Sequence, residues 1–214
     1  MSLKWKVCGM RENQNIKEVL ALEPDYMGFI FYDKSKRYAD PVLDKSLLAS
    51  FSGPTQKVGV FVNAEESYIL LKVVDYGLQM LQLHGEESPA FCQNLRTDGL
   101  KVMKAFAIDE SFDFAEITPF LEVCDYFLFD TKAPNGYGGH GKKFDWTLLN
   151  QYKHDVPFLL AGGVDLESLS IVKELKHPAF MGVDVNSKFE QSPALKDLVK
   201  LKILKKELTG NTLD

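Results

Sequence analysis

The chain has 214 residues, with 25 basic and 30 acidic side chains and a formal net charge of −5 at pH 7. Hydrophobic residues make up 45% of it, which is typical of a folded domain and argues against intrinsic disorder. The acidic balance disfavours a nucleic-acid partner, because binding to a phosphate backbone needs a basic surface. We therefore expect one globular domain over residues 1–214.

The cysteine count and the N-terminal sequence indicate a reducing, cytoplasmic setting. The three cysteines, Cys8, Cys92 and Cys124, are odd in number and lack metal-ligand spacing, so neither a disulfide framework nor a metal site is predicted. The first residues contain no long apolar segment of a secretory signal. No run approaches the ~18 apolar residues of a spanning helix, so no membrane partner is expected.

Eight short apolar runs predict β-strands, and they alternate with amphipathic stretches that predict helices. The strands are expected at residues 3–8, 26–31, 57–62, 79–83, 101–107, 126–130, 157–161 and 179–184. The helices are expected at residues 12–22, 41–51, 64–76, 86–97, 111–122, 145–151, 165–175 and 194–207. Pro41, Asn63 and Asp165 are predicted to begin three of these helices.

Eight strand–helix units without a linker predict an α/β fold, a single (β/α)8 TIM barrel with eight parallel strands. An open doubly wound sheet is the alternative, but its glycine-rich nucleotide-binding sequence is absent after the first strand. The last predicted helix carries a lysine-rich face that we expect to be solvated. Its lysines are Lys196, Lys200, Lys202, Lys205 and Lys206.

The active site of a barrel lies at the C-terminal ends of its strands. Cys8 ends the first predicted strand and is either a buried core thiol or a reactive one. Asp130 follows an apolar run, and it is either a loop cap or a general acid. Arg37 is either a surface side chain or a two-point ligand for a carboxylate. Cys92 and Cys124 are expected to be structural.

Two glycine sites predict a phosphate site, because backbone N–H groups after strands seven and eight often bind phosphate in barrels. They are Gly162-Gly163 and the segment from Gly182 to Ser187, and two ordinary turns are the alternative. The glycine-rich segment 131–143 predicts a flap that orders over an anionic ligand.

The ordered set of motifs resembles the phosphoribosylanthranilate isomerase family, from the first strand to the last helix. The matching motifs are Lys6-Val7-Cys8-Gly9, Gly28-Phe29-Ile30-Phe31 with Ser35-Lys36-Arg37, Gly59-Val60-Phe61-Val62-Asn63, Leu81-Gln82-Leu83-His84-Gly85, Phe129-Asp130, Gly138-Gly139-His140-Gly141 with Phe144-Asp145-Trp146, Leu160-Ala161-Gly162-Gly163 and Gly182-Val183-Asp184-Val185.

The resemblance implies an Amadori rearrangement of N-(5-phosphoribosyl)anthranilate to 1-(2-carboxyphenylamino)-1-deoxyribulose 5-phosphate, a step of tryptophan biosynthesis. It implies that Asp130 is the acid and Cys8 the base, with no metal or organic cofactor. It places the substrate against Arg37, His84 and Asp184, with Arg37 on the anthranilate carboxylate. It implies a phosphate site formed by Gly138, Gly139, Gly141, Gly162, Gly163, Asn186 and Ser187.

Three positions depart from the family pattern. They are Lys36, where proline is usual, His140, where a hydroxyl residue is usual, and Lys188, where glycine is usual. A related barrel isomerase acting on another phosphorylated aminoaldose is the alternative function, although the histidine-pathway enzyme has aspartate in place of Cys8. A non-enzymatic phosphate-binding barrel is disfavoured, because both acid and base are present. The oligomeric state is expected to be a monomer or a homodimer.

Overall fold

The structure, a computed structural model, describes residues 3–40, 42–96, 99–132 and 145–210. Eight parallel strands form a closed barrel in chain order, and the eighth returns to pair with the first. They are β1 (Lys4–Val7), β2 (Tyr26–Ile30), β3 (Gln56–Phe61), β4 (Met80–Leu83), β5 (Lys101–Ile108), β6 (Tyr126–Thr131), β7 (Phe158–Leu160) and β8 (Phe180–Val185). The barrel confirms the predicted fold class and the position of each predicted strand.

Helices connect the strands on the outside of the barrel. The α-helices are α1 (Asn13–Leu20), α2 (Lys45–Ala49), α3 (Glu66–Tyr76), α4 (Pro89–Leu95), α5 (Leu169–Glu174) and α6 (Leu198–Thr209). The predicted helices at 111–122 and 145–151 are 3-10 helices, Phe114–Phe120 and Trp146–Gln151. Pro119 lies inside the first and lacks the N–H that a longer α-helix would need.

The predicted helix starts have three different outcomes. Asp165 caps its helical segment as predicted, and its Oδ1 accepts a hydrogen bond from the Ser168 N–H at 2.9 Å. Asn63 does not cap α3, because it adopts a positive φ of 49° and its Oδ1 accepts from the Glu86 N–H at 2.7 Å. Pro41 lies outside the described residues, and α2 is capped by Asp44.

The segment after β8 differs from the prediction of one helix over residues 194–207. A 3-10 turn, Ser187–Phe189, leads into a small antiparallel pair, β9 (Glu190–Ser192) and β10 (Leu195–Lys196), and only then does α6 begin. Lys196 is therefore not on the solvated face of the last helix, and it is 1% exposed. Lys202 and Lys206 are exposed on α6 as expected.

The apolar core has two layers, one inside the barrel and one between the barrel and its helices. Side chains alternate between the layers because successive residues of a strand point to opposite faces. Along β1, Trp5 and Val7 pack in the outer layer, so Lys6 lies on the inner face. The inner apolar cluster comprises Tyr26, Val58, Met80, Met103, Ala105, Leu128, Leu159 and Ala161. Within the described part of the chain, no helix is long and apolar enough to cross a membrane.

Candidate active site

Reactive side chains from four strands meet at the C-terminal end of the barrel. Cys8 follows β1, His84 follows β4, Asp130 lies in β6 and Asp184 lies in β8. Cys8, Asp130 and Asp184 are at most 9% exposed. Because they are buried around one barrel mouth, they can surround a small ligand from several sides.

Cys8 lies in a charged pocket formed by its own strand and by β8. Its N–H donates to the carbonyl oxygen of Val185 at 2.9 Å, which fixes the end of β1 against β8. The Lys6 ammonium is completely buried and lies 2.9 Å from Asp184 Oδ2. Burial raises the pKa of the Cys8 thiol above its ordinary value, although the positive charge of Lys6 acts to lower it.

Lys6 keeps its charge in this pocket because its neighbours outweigh the cost of desolvation. Burial acts to lower the pKa of Lys6, but the attraction of Asp184 and Cys8 leaves that pKa above its ordinary value. An ammonium group therefore lies beside the thiol at neutral pH.

Two groups hold Asp130 in place: the backbone N–H of Thr131, and the imidazole of His84 at the end of β4, which in turn contacts Gln82. The Thr131 N–H donates to Asp130 Oδ1 at 2.8 Å, and His84 Nε2 lies 3.3 Å from Oδ2. On its other side, His84 Nδ1 is 2.9 Å from Gln82 Nε2. With the amide donating to Nδ1, the ring proton is on Nε2 and faces Asp130.

Gly162 follows β7 and makes room for this carboxyl group. Its φ is +75°, and a Cβ at this position would lie 2.8 Å from Asp130 Oδ1 and would also contact Thr131. A side chain there would displace Asp130, so the glycine after β7 shapes the acid site as well as the predicted phosphate loop.

Arg37 is held in a buried ion network and is not a surface side chain. Its Nη2 lies 2.6 Å from Glu190 Oε2, and its Nε donates to Glu190 Oε1 at 2.9 Å. Glu190 also accepts from Lys196 Nζ at 2.6 Å, and Lys196 donates to Asn186 Oδ1 at 2.8 Å. Since a guanidinium group has five N–H donors, its Nη1 side can still bind a carboxylate.

The network changes the protonation of its buried members. Burial lowers the pKa of Lys196 to about 8, despite the attraction of Glu190. Burial acts to raise the pKa of Glu190, but Arg37 and Lys196 outweigh it and hold that pKa below its ordinary value. Glu190 therefore stays ionised and keeps both cations in place.

The described residues of the predicted phosphate site lie at the ends of β7 and β8. Gly162 and Gly163 have φ values of +75° and +73°, and Ser187 begins the 3-10 turn after Asn186. Asn186 Oδ1 is engaged by Lys196, which leaves its amide group as the donor for an anion. Gly138, Gly139, Gly141 and His140 lie outside the described residues.

The other two departures from the family pattern lie on the surface. Lys36 and Lys188 both have exposed side chains. The Lys36 carbonyl oxygen accepts from Arg11 Nη1 at 3.3 Å, and the Lys188 carbonyl oxygen accepts from Lys200 Nζ at 3.2 Å. The contacts described for these two lysines are thus made by their backbone carbonyl groups.

Cys92 and Cys124 pack in the outer core as free thiols.

Comparison with known proteins shows the family of this chain. The family model described as N-(5'phosphoribosyl)anthranilate (PRA) isomerase matches residues 5–207. The chain belongs to this family. A phosphoribosylanthranilate isomerase from Parabacteroides distasonis is 47% identical over 199 residues, which cover 92% of this chain and 89% of the relative. The relative from Phocaeicola vulgatus is 45% identical, covering 90% of this chain and 91% of its own length.

Solved phosphoribosylanthranilate isomerases have the same fold. The enzyme from Thermotoga maritima superimposes with a TM-score of 0.86 at 32% identity, covering 98% of this chain and 100% of that structure. Another, in complex with reduced 1-(o-carboxyphenylamino)-1-deoxyribulose 5-phosphate, gives a TM-score of 0.82 at 28% identity, with coverage of 98% and 100%.

The site of this family member includes residues that the sequence did not identify. Lys6 could have been found, because strand alternation places it on the same face as Cys8 two residues later. The site roles of Glu190 and Lys196 carried no signal in the sequence. Glu190 contacts Arg37, more than 150 residues earlier, and Lys196 joins this network through Glu190. The Arg37–Glu190 contact exists only in the closed barrel.

Proposed function

We propose that this chain converts N-(5-phosphoribosyl)anthranilate to 1-(2-carboxyphenylamino)-1-deoxyribulose 5-phosphate in tryptophan biosynthesis, with Asp130 as general acid and Cys8 as general base. The observation that supports these roles is that a buried thiol and a buried carboxyl group, from β1 and β6, border the same barrel mouth. A reaction that needs proton donation and proton removal on one small sugar fits such a pair.

Ring opening is the step for Asp130. Its Oδ1 accepts the Thr131 N–H, so Oδ2 is the oxygen that carries the proton. The proton passes to the furanose ring oxygen, the bond from C1′ to that oxygen breaks, and the anilino nitrogen lone pair forms an iminium ion. The His84 N–H, 3.3 Å from Oδ2, then stabilises the carboxylate that remains.

Proton removal at C2′ is the step for Cys8. The thiolate takes this proton, and the electron pair of the C–H bond moves towards the iminium nitrogen to give an enolamine. Tautomerisation of the enolamine yields the ketone product. The iminium ion is itself the electron sink, so we expect no metal or organic cofactor.

The remaining residues bind the two ends of the substrate and its sugar. Arg37 binds the anthranilate carboxylate, and the backbone after β7 and β8 binds the phosphate. Within the described residues, Gln82 Oε1 and Asp184 Oδ1 are buried and have no hydrogen-bond partner. Such oxygens are costly to leave unsatisfied, so we assign them to the sugar hydroxyl groups.

The test follows the loss of phosphoribosylanthranilate fluorescence after mixing with the protein, with indole-glycerol-phosphate synthase added to consume the product. Cys8→Ala and Asp130→Asn should each reduce kcat by at least about a hundredfold while the circular dichroism spectrum is unchanged. Cys92→Ala, which removes a buried thiol on α4 in the outer core, is the matched control. Turnover near the parent rate in Cys8→Ala or Asp130→Asn contradicts the role of that residue.

We also propose that the protein works in the cytoplasm as one barrel domain, as a monomer or a homodimer. The free Cys8 thiol must stay reduced to act as a base, which supports a reducing compartment. A solved Thermotoga maritima relative consists of monomers generated from a dimeric enzyme, with a TM-score of 0.80 and 28% identity. Sedimentation equilibrium at enzyme-assay concentration distinguishes the two states.

A further inference from the structure

Lys6 is a fully buried charge on the inner face of the barrel. Its neighbours on β1, Trp5 and Val7, pack outward, so its side chain points to the interior that it shares with Cys8. Burying an ammonium group is costly unless it is paired, and here Asp184 Oδ2 lies 2.9 Å away. An apolar side chain would fill this position at a lower cost, so the charge itself requires an explanation.

Gly28 on β2 shows how close the ammonium is to the thiol. A Cβ atom on Gly28 would lie 3.0 Å from Cys8 Sγ and 3.2 Å from Lys6 Nζ. The sulfur and the ammonium nitrogen therefore border the same small space beside the glycine. Because no side chain separates them there, the positive charge acts on the sulfur directly.

Charged groups from three elements face Cys8. Burial raises the pKa of the thiol, Lys6 on β1 lowers it, Asp184 on β8 raises it and Lys196 on β10 lowers it. Asp130 raises the pKa of Asp184 and His84 lowers it, so these two residues affect Cys8 indirectly, through Asp184. Of the groups that lower the pKa of Cys8, Lys6 has the largest effect. Removing the charge of Lys6 should therefore raise this pKa more than removing the charge of Lys196.

We propose that Lys6 is a positioning residue for the isomerisation: its buried ammonium stabilises the thiolate of Cys8, and pairing with Asp184 offsets the cost of burying that ammonium. This inference rests on the proposed role of Cys8 as the base. In the step itself the Cys8 sulfur gains the C2′ proton and becomes a thiol, while Lys6 keeps its own protons throughout.

The first test measures the thiol in the free protein, without substrate. The rate of Cys8 alkylation by iodoacetamide is followed against pH, with the modified peptide quantified by mass spectrometry. Lys6→Met should move the midpoint to higher pH by about one unit, which is a tenfold loss of thiolate at neutral pH. Asp184→Asn should move it to lower pH, because a negative charge beside the thiol is removed.

The opposite signs separate an electrostatic role from a structural one. Both substitutions break the same ion pair, so simple disruption of the pocket would move both midpoints in the same direction. Lys6→Arg keeps the charge and should keep the parent midpoint. Lys4→Met, which removes a lysine from the same strand one pleat further from Cys8, is the matched control.

Lys6→Met leaves Asp184 buried without its partner. If that loss alone prevents this single variant from folding, a double variant keeps the test decisive. Lys6→Met/Asp184→Asn carries no charge at either position, and its midpoint should lie above that of Asp184→Asn alone. Equal midpoints in these two proteins, or shifts of Lys6→Met and Asp184→Asn in the same direction, overturn the proposal.

Kinetics connect the thiol to the reaction. In Lys6→Met, kcat at pH 7 should fall about tenfold and recover as the pH rises, with KM changed less than threefold. A tenfold loss that persists at high pH overturns the electrostatic role. If Cys8→Ala keeps its turnover, the proposed base is wrong even where the thiol midpoints move as expected, so the two failures are distinct.

Discussion

Arg37 and Glu190 are 153 residues apart in the sequence, yet their side chains form a two-point ion pair in which Nη2 lies 2.6 Å from Oε2. The same carboxylate binds Lys196 Nζ at 2.6 Å. One buried anion thus fixes two cations, and the guanidinium group is oriented before any substrate arrives. Such preorganisation lowers the cost of binding a second carboxylate on the other side of Arg37.

Glu190→Gln should therefore weaken substrate binding and destabilise the fold. We expect KM to rise about tenfold with a smaller change in kcat, because Arg37 is no longer held in its binding orientation. The free energy of unfolding should fall by about 3 kcal/mol, since the buried Lys196 and the partly buried Arg37 lose their partner. Steady-state kinetics and urea unfolding measure the two effects.

Glu207→Gln is the matched control for this prediction, because Glu207 forms an exposed ion pair with Lys173. An exposed pair is screened by water and contributes little to stability, so this variant should behave like the parent. An unchanged KM in Glu190→Gln would show that the ion pair does not orient Arg37.

Gln82→Met should slow the reaction and also weaken substrate binding, because it removes both the contact with His84 and the oxygen assigned to a sugar hydroxyl group. Methionine has a similar volume but cannot donate to His84 Nδ1, so the imidazole loses the partner that fixes its Nε2 proton towards Asp130. One neutral hydrogen bond contributes about 0.5–1.5 kcal/mol, which corresponds to a two- to tenfold loss of kcat. Equal kcat values for parent and variant in the fluorescence assay would exclude this role.

Gly28→Ala should lower activity because the added methyl group enters the space between the thiol and the ammonium. A Cβ there lies 3.0 Å from Cys8 Sγ, closer than ordinary contact allows. We expect at least a tenfold loss of kcat and a loss of about 1–3 kcal/mol in the free energy of unfolding.

Gly53→Ala is the control for Gly28→Ala, because it measures the conformational cost of replacing a glycine at a position far from any neighbouring atom. Gly53 has a positive φ of 96°, but nothing lies within 4 Å of its Cβ position. Alanine there should cost about 1 kcal/mol of stability and leave turnover unchanged. If Gly28→Ala is as active as Gly53→Ala, the space beside Cys8 does not need to be open.

Asp40 makes a pH-dependent contribution to stability. It accepts hydrogen bonds from Tyr76 Oη at 3.0 Å and forms an ion pair with Lys72 Nζ at 2.7 Å. Burial acts to raise the pKa of Asp40, but Lys72 and Tyr76 outweigh it and the net shift is downward. A lowered folded-state pKa stabilises the protein above the unfolded-state value, and this contribution is lost as the pH falls through the folded-state value.

Asp40→Asn should lower the free energy of unfolding by about 1–3 kcal/mol at pH 7. The difference from the parent should shrink as the pH falls below about 4, where Asp40 of the unfolded chain takes up a proton first, and it should vanish below the lowered pKa of Asp40 in the folded protein. Urea unfolding of both proteins at several pH values measures it. A difference that stays constant down to pH 3 would exclude the charge as its cause.

The strands, and the position of Cys8 and Asp130 at one end of the barrel, could be predicted because their signals are local. Each strand is a short apolar run, and parallel strands buried on both faces read this way in sequence. Cys8 and Asp130 end two such runs, so the barrel rule already placed them at its active end. The lengths and types of the outer helices depend on packing and on single residues such as Pro119, and they were predicted less well.

The contacts around the catalytic pair could not be predicted, since they join distant parts of the chain. Lys196 is part of a lysine-rich amphipathic pattern, yet β10 turns it inward to Glu190 and Asn186. Asn63 is a residue type that often caps helices, but here its Oδ1 accepts a hydrogen bond from the Glu86 N–H in the loop after β4. In both cases a tertiary partner outweighed a valid local preference.

The closure of the barrel between its first and last strands affects the synthesis of the protein. Lys6 and Cys8 are made long before Asp184, the partner of the Lys6 ammonium, which follows Lys6 by 178 residues. At about 5–20 residues per second, the nascent thiol waits on the order of ten seconds or more for its pocket. The ion pair beside Cys8 can therefore form only after β8 has been synthesised, and a chain that stalls before β8 leaves Lys6 without its buried partner.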